Sequence, residues 1–172
     1  STVFNFNGEG TVTGNNLSLN ATVQIRKKFT PLASGALTFA SGSALDVRSG
    51  GYVNTNAPTY ASGSYLMYNS GNTYTTGTEW TPNAASGAGV PYNVTIGNNI
   101  ASSVCSFGSS SQYRQANGTL LISNATAGAG LTLSSSSGGD IRLAGDFNKQ
   151  GGTFSCNSRA VNFYGSANQS WV

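Results

Sequence analysis

Apolar residues along this chain come in short alternating runs, two or three at a time, each closed by a corner of Gly, Ser, Asn or Ala. Ala36-Leu37-Thr38-Phe39, Ala44-Leu45-Asp46-Val47, Thr119-Leu120-Leu121-Ile122, Leu131-Thr132-Leu133, Asp140-Ile141-Arg142-Leu143 and Ala160-Val161-Asn162-Phe163 are units of this kind. Alternation places the apolar members on one face of an extended strand. Strands this short bury too little alone, so their even spacing predicts stacking on copies of themselves. Between Pro31 and Asn56 the unit recurs about every eight residues, and the Ser41-Gly42 and Ser49-Gly50-Gly51 corners supply the backbone freedom that bends require. No window sustains apolar residues at i, i+3, i+4 and i+7, so no helix is predicted. The pattern reads as all-β, a solenoid of short stacked strands, with a β-sandwich as the alternative.

Changes of rhythm divide the chain. Residues 1-30 carry longer alternating runs, Thr2 to Phe6 and Leu17 to Ile25, which predict an N-terminal cap or edge strands, and residues 31-172 predict the solenoid. Within the solenoid, residues 57-91 lose the repeat. Tyr60, Tyr65, Tyr68, Tyr74 and Trp80 fall close together there, with Pro58, Pro82 and Pro91 among them. This stretch predicts one longer strand around Tyr65 to Tyr68, then an excursion from the coil, the part of a repeat protein that commonly carries recognition. Tyr65, Tyr68, Tyr74 and Trp80 are the candidate ligand-binding residues, because aromatic faces stack on sugar rings; a core beneath a long loop is the competing reading. The closing run Gln169 to Val172 reads as a strand in progress, as expected of a fragment or of a subunit whose end strand pairs with a neighbour.

Composition narrows the function classes. Only 8% of residues are charged, against about 25% in ordinary soluble proteins, so solubility rests on hydroxyls and amides. Eight Tyr, eight Phe and two Trp separate the chain from disordered sequences, which are poor in aromatics. The net charge of +3 has one cluster, Arg26-Lys27-Lys28, too small for a nucleic-acid groove. No apolar stretch of about 18 residues predicts a membrane span, and Ser1-Thr2-Val3 does not begin a signal peptide. Cys105 and Cys156 stand about two turns apart if a turn takes roughly 20 to 30 residues, near 10 Å at ~4.8 Å per rung. Disulfides seldom join Cα atoms beyond about 7 Å, so both are expected as buried free thiols.

The absence of histidine removes Ser-His-Asp and Cys-His catalysis and imidazole zinc sites, and two cysteines cannot complete a zinc site. No metal, cofactor or catalytic residue is expected. The acids are Glu9, Asp46, Glu79, Asp140 and Asp146. A glycosidase needs two carboxylates facing across a cleft. Asp140 and Asp146, with Arg142 or Lys149, are the group such an enzyme would use, whereas Asp at strand corners commonly serves turns. Six Asn-X-Ser/Thr sequons, at Asn16, Asn20, Asn93, Asn117, Asn124 and Asn168, are a frequency expected by chance in this composition.

The stretches Ser43 to Val53, Gly87 to Ile96, Gly138 to Phe147 and Arg159 to Gln169 resemble the β-strand-repeat surface proteins of Bacteroidetes, secreted adhesin-like chains that often leave by the type IX system. The resemblance covers roughly residues 35 to 170 and is compositional. It implies an extracellular or cell-surface location and a right-handed parallel β-helix, with no catalytic residues to transfer. The expectation is a non-enzymatic structural or adhesin segment, a stalk, spacer or filament former, whose partners are surface glycans or copies of itself. The alternatives are a pilin-like subunit assembled by donor strand through Leu17 to Ile25, and a polysaccharide-active β-helix enzyme.

Overall fold

The computed structural model describes residues 2–14 and 16–172. Short parallel strands lie on three faces, which the chain visits in order on each turn. The first face is seven strands deep: β1 (Val3–Phe6), β4 (Thr22–Ile25), β7 (Ala44–Arg48), β10 (Tyr65–Asn69), β12 (Asn93–Ile96), β15 (Leu120–Ile122) and β18 (Phe147–Lys149). The second face carries β2 (Gly10–Val12), β5 (Lys28–Pro31) and β8 (Tyr52–Val53), then β11 (Thr73–Thr75), β13 (Val104–Ser106), β16 (Gly130–Thr132) and β19 (Thr153–Ser155). On the third face lie β3 (Leu17–Leu19), β6 (Leu37–Phe39) and β9 (Thr59–Tyr60), then β14 (Arg114–Ala116), β17 (Ile141–Leu143) and β20 (Val161–Phe163). Each strand pairs with its equivalent one turn away. This is a parallel β-helix, and the sandwich alternative, which needs antiparallel pairing, is not the fold.

Register keeps the apolar positions aligned. Val23, Leu45, Leu66, Val94, Leu120 and Phe147 form one column on the inner side of the first face, and Ile25, Val47, Tyr68, Ile96 and Ile122 form the next. All eleven are buried, each contributing about 1.5–3 kcal/mol relative to exposure. Corners stack as closely as strands. A Cβ on Gly51 would collide with the Ile25 carbonyl one turn below, and Gly50 beside it has φ +78°, so the glycine pair is required by the bend.

The coil widens partway along. Val3 lies opposite Thr22, Thr22 opposite Ala44, and Ala44 opposite Tyr65, giving turns of 19, 22 and 21 residues. Tyr65 to Asn93 takes 28, Val94 to Leu120 takes 26 and Leu120 to Phe147 takes 27. The fourth turn makes the change. After β10 and β11 it has no third-face strand; a 3-10 turn (Thr78–Trp80) and a loop take that place. The chain rejoins the stack at Gly89, whose N–H donates to the Pro58 carbonyl at 2.7 Å.

Within residues 2–14 and 16–30, β1, β2 and β3 are edge strands of the parallel sheets that the rest of the coil continues. Two expectations need correction. Leu17 to Ile25 is not one strand, because the chain turns a corner at Asn20-Ala21 between β3 and β4. Both cysteines are free, as expected, and Cys105 is buried, but Cys156 is exposed. Cys156 follows β19, the outermost strand of its sheet, two rungs from the strand of Cys105, so no further strand covers it.

Candidate functional site

The widening turn carries the chain's densest polar chemistry. Glu79, in the 3-10 turn, is completely buried. Its Oε1 accepts from the Tyr68 hydroxyl at 3.0 Å and the Gly77 N–H at 2.8 Å, and its Oε2 accepts from the Tyr74 hydroxyl at 3.2 Å. The Tyr60 hydroxyl donates to the Glu79 main-chain carbonyl at 3.0 Å. A Cβ on Gly77 would sit 3.2 Å from Oε2, so glycine there lets the backbone donor approach. Burial pushes the Glu79 carboxyl above the ordinary carboxylate range, and the Gly77 N–H and two tyrosine hydroxyls pull it part of the way back. Burial likewise raises the Tyr60, Tyr68 and Tyr74 hydroxyls and the Cys105 thiol, with the Glu79 charge adding to each.

Trp80 fills the interior at the same level. Its indole N–H donates to the Gln115 carbonyl at 2.8 Å. Its ring stacks on Tyr68 with centroids 6.3 Å apart and meets Phe107 edge-on at 5.3 Å. The loop beyond it is held to the next turn, where Gln115 donates to the Ala85 carbonyl at 2.6 Å and Asn83 donates to the Tyr113 carbonyl at 3.0 Å.

Among the four predicted aromatics, the structure brings Tyr68, Tyr74 and Trp80 together but not as a sugar platform. Tyr68 and Trp80 are 0% exposed, so a ligand cannot reach their faces, and Tyr74 is half-buried with its hydroxyl spent on Glu79. The core reading holds for this group. Tyr65 stands apart, half-buried on the outside of the first face, in a shallow depression of about 260 Å³ with Asn93, Thr95, Thr119 and Leu121.

The acids proposed for an enzyme sit at different corners. Asp140 precedes β17 on the third face and accepts from the Ala160 N–H at 2.8 Å; Asp146 precedes β18 on the first face and accepts from the Ser170 N–H at 2.7 Å. Each ties its corner to the next turn. Arg142 is exposed, with its guanidinium 4.4 Å from the Tyr113 ring centre, and Lys149 is exposed at the end of β18. Among the described residues no group of three His, Cys, Asp or Glu side chains could hold a metal, and no helix is long and apolar enough to cross a membrane. No known protein family, curated protein or solved structure matches this chain.

Sequence reasoning did not single out Arg114. Its register partner Ile141 and its strand neighbour Ala116 are both core residues, so Arg114 points into the coil. It is 4% exposed. Its Nη1 donates to the Gln112 carbonyl at 3.3 Å, its guanidinium lies 5.6 Å from the Phe107 ring centre, and its Nε has no partner among the described residues. Burial lowers its proton affinity, while nearby Tyr68 and Glu79 act the other way. The Thr76 hydroxyl is also buried without a partner. Both residues line a depression of about 300 Å³ completed by Gly77, Thr78, Thr81 and Pro82.

Arg26 and Arg48 border another hollow, of about 300 Å³, at the C-terminal ends of the first-face strands β4, β7 and β10. Both guanidinium groups already have partners. Arg48 pairs with Asp46 through Nε at 2.7 Å and Nη2 at 2.5 Å, and Arg26 donates to Asn5, Asn7 and Gln24.

Proposed function

We propose that this chain is a structural β-solenoid segment of an extracellular surface protein, acting as a stalk or spacer that displays the fourth-turn excursion. The observation that carries the reading is the use of the carboxylates. Glu9 pairs with Lys28 at 2.8 Å, Asp46 with Arg48 and Asn69, Glu79 with the tyrosine hydroxyls, and Asp140 and Asp146 with backbone donors of the following turn. Every acid of the sequence is engaged in joining one part of the coil to another, which supports a structural use of these side chains over the opposed pair that glycoside hydrolysis needs.

Extracellular location follows from the resemblance to Bacteroidetes surface repeats and accords with a charge-poor, hydroxyl-rich surface. Donor-strand assembly has less support, because the segment it needs is bent across two faces of its own coil. Cryo-electron microscopy of the purified protein tests the proposal. Isolated rods with ~4.8 Å rungs, and no turnover of acidic or neutral polysaccharides, are the expected results. Strands exchanged between subunits, or hydrolysis abolished by Asp140→Asn, overturn it.

A further inference from the structure

We propose that the depression floored by Arg114 binds an oxyanion, the carboxylate or sulfate group of an acidic sugar. The inference rests on the surface-display reading for its ligand source, but its geometry stands independently.

Among the described residues, two cations are buried, Arg48 and Arg114. Arg48 has the Asp46 carboxylate against it. Arg114 has no carboxylate within ion-pair distance among the described residues, since the nearby Glu79 directs its oxygens to Tyr68, Tyr74 and Gly77. Glu79 lies near enough to attract the guanidinium but does not pair with it, and a desolvated cation left without a paired anion is unfavourable. The surroundings suit an oxygen-rich one. Thr76 and Thr78 bring hydroxyls, while that of Thr81 donates to the Thr78 carbonyl at 3.0 Å; the lining has no acid, and the unpartnered Thr76 Oγ1 and Arg114 Nε belong to the same wall. An arginine's planar fork matches carboxylate and sulfate geometry, and a hollow of this volume, at the small end of ligand sites, admits one sugar unit. All of the lining but Arg114 lies on the excursion, which interrupts the third-face ladder between β9 and β14.

The test is an NMR titration of the whole chain with sodium glucuronate, inorganic sulfate and neutral methyl glucoside, repeated on Arg114→Met and Thr76→Val. Glucuronate is expected to shift the amides of residues 76–81 and 114 in a saturable way, methyl glucoside to leave them unmoved, and Arg114→Met to weaken binding at least about tenfold. Thr76→Val, nearly isosteric, is expected to weaken it several-fold and supplies the reading should Arg114→Met fail to fold. Glucuronate binding well above sulfate identifies the sugar-borne group; equal binding identifies a free oxyanion, and either supports the site. No saturable shift from either anion, or undiminished binding in the folded variants, overturns it. Neither outcome alters the rung pattern seen by microscopy, so failure here is distinguishable from failure of the stalk proposal.

Discussion

Glu79 is held by three donors and is fully buried, and its protonation is therefore linked to folding. Its folded-state pKa lies above the unfolded value near 4.5, and Asp46, also desolvated, lies above 3.8. A raised carboxyl contributes stability fully below its unfolded pKa and loses that contribution as pH rises through the folded value. Thermal stability is expected to increase as pH falls from 7 toward 4.5, measured by calorimetry, and a monotonic decrease would contradict the assignment. Glu79→Gln should flatten this slope with little loss at pH 7, because an amide can accept from Tyr68 and Gly77 and donate to Tyr74. Glu79→Ala should cost about 3–5 kcal/mol, since it strands the buried Tyr68 hydroxyl and two part-buried donors; Tm then falls by roughly 10 °C. None of this convergence was legible in the sequence. Tyr60, Tyr68 and Glu79 meet only because successive turns stack, and Arg114, in the run Tyr113-Arg114-Gln115-Ala116, lacks the apolar alternation that marks inward positions elsewhere.

Strands were legible where alternation and glycine corners coincide. Leu37–Phe39, Ala44–Arg48 and Tyr52–Val53 fall at the eight-residue spacing, and each is a real strand on successive faces. The reading failed at Asn20-Ala21 because that corner contains no glycine, and period-2 alternation continues across it from Leu19 to Ala21. The same logic fixes what substitutions do. Leu45 sits between Val23 and Leu66 in an inner column, so Leu45→Asp buries an uncompensated charge and should unfold the coil outright; an unchanged thermal transition would refute the register. Trp80→Ala should cost about 3–5 kcal/mol, because the indole both plugs the widened interior and caps the Gln115 carbonyl. Were Trp80 a sugar platform, this variant would lose binding and keep its stability.

Strand pairing joins each turn to the turns beside it, with the Tyr164 hydroxyl reaching past one turn to Ala116 and Asn117, so stability is close to a sum of local rungs and nearest-neighbour interfaces. The two end turns have one neighbour each and leave apolar side chains uncovered. Phe4 and Leu17 are 51% and 40% exposed at one end, and Phe163 and Trp171 are 39% and 55% exposed at the other. In the middle, β7, β10 and β12 are covered on both sides and surround the Glu79 cage. Hydrogen exchange should therefore be graded along the axis, slowest in β7, β10 and β12 and fastest in β1 and β20, because opening an end rung breaks one interface where opening a central rung breaks two. The excursion sharpens this expectation. It closes the seam between a coil of about 21 residues per turn and one of about 27, so its amides at Trp80, Thr81 and Gly89 should protect with the central rungs despite lying outside the repeat. Fast exchange there, beside slow exchange in β10 and β12, would mean that the two coils are joined by a loose loop, and a loop of that kind could not hold Arg114 and Thr76 in one fixed wall.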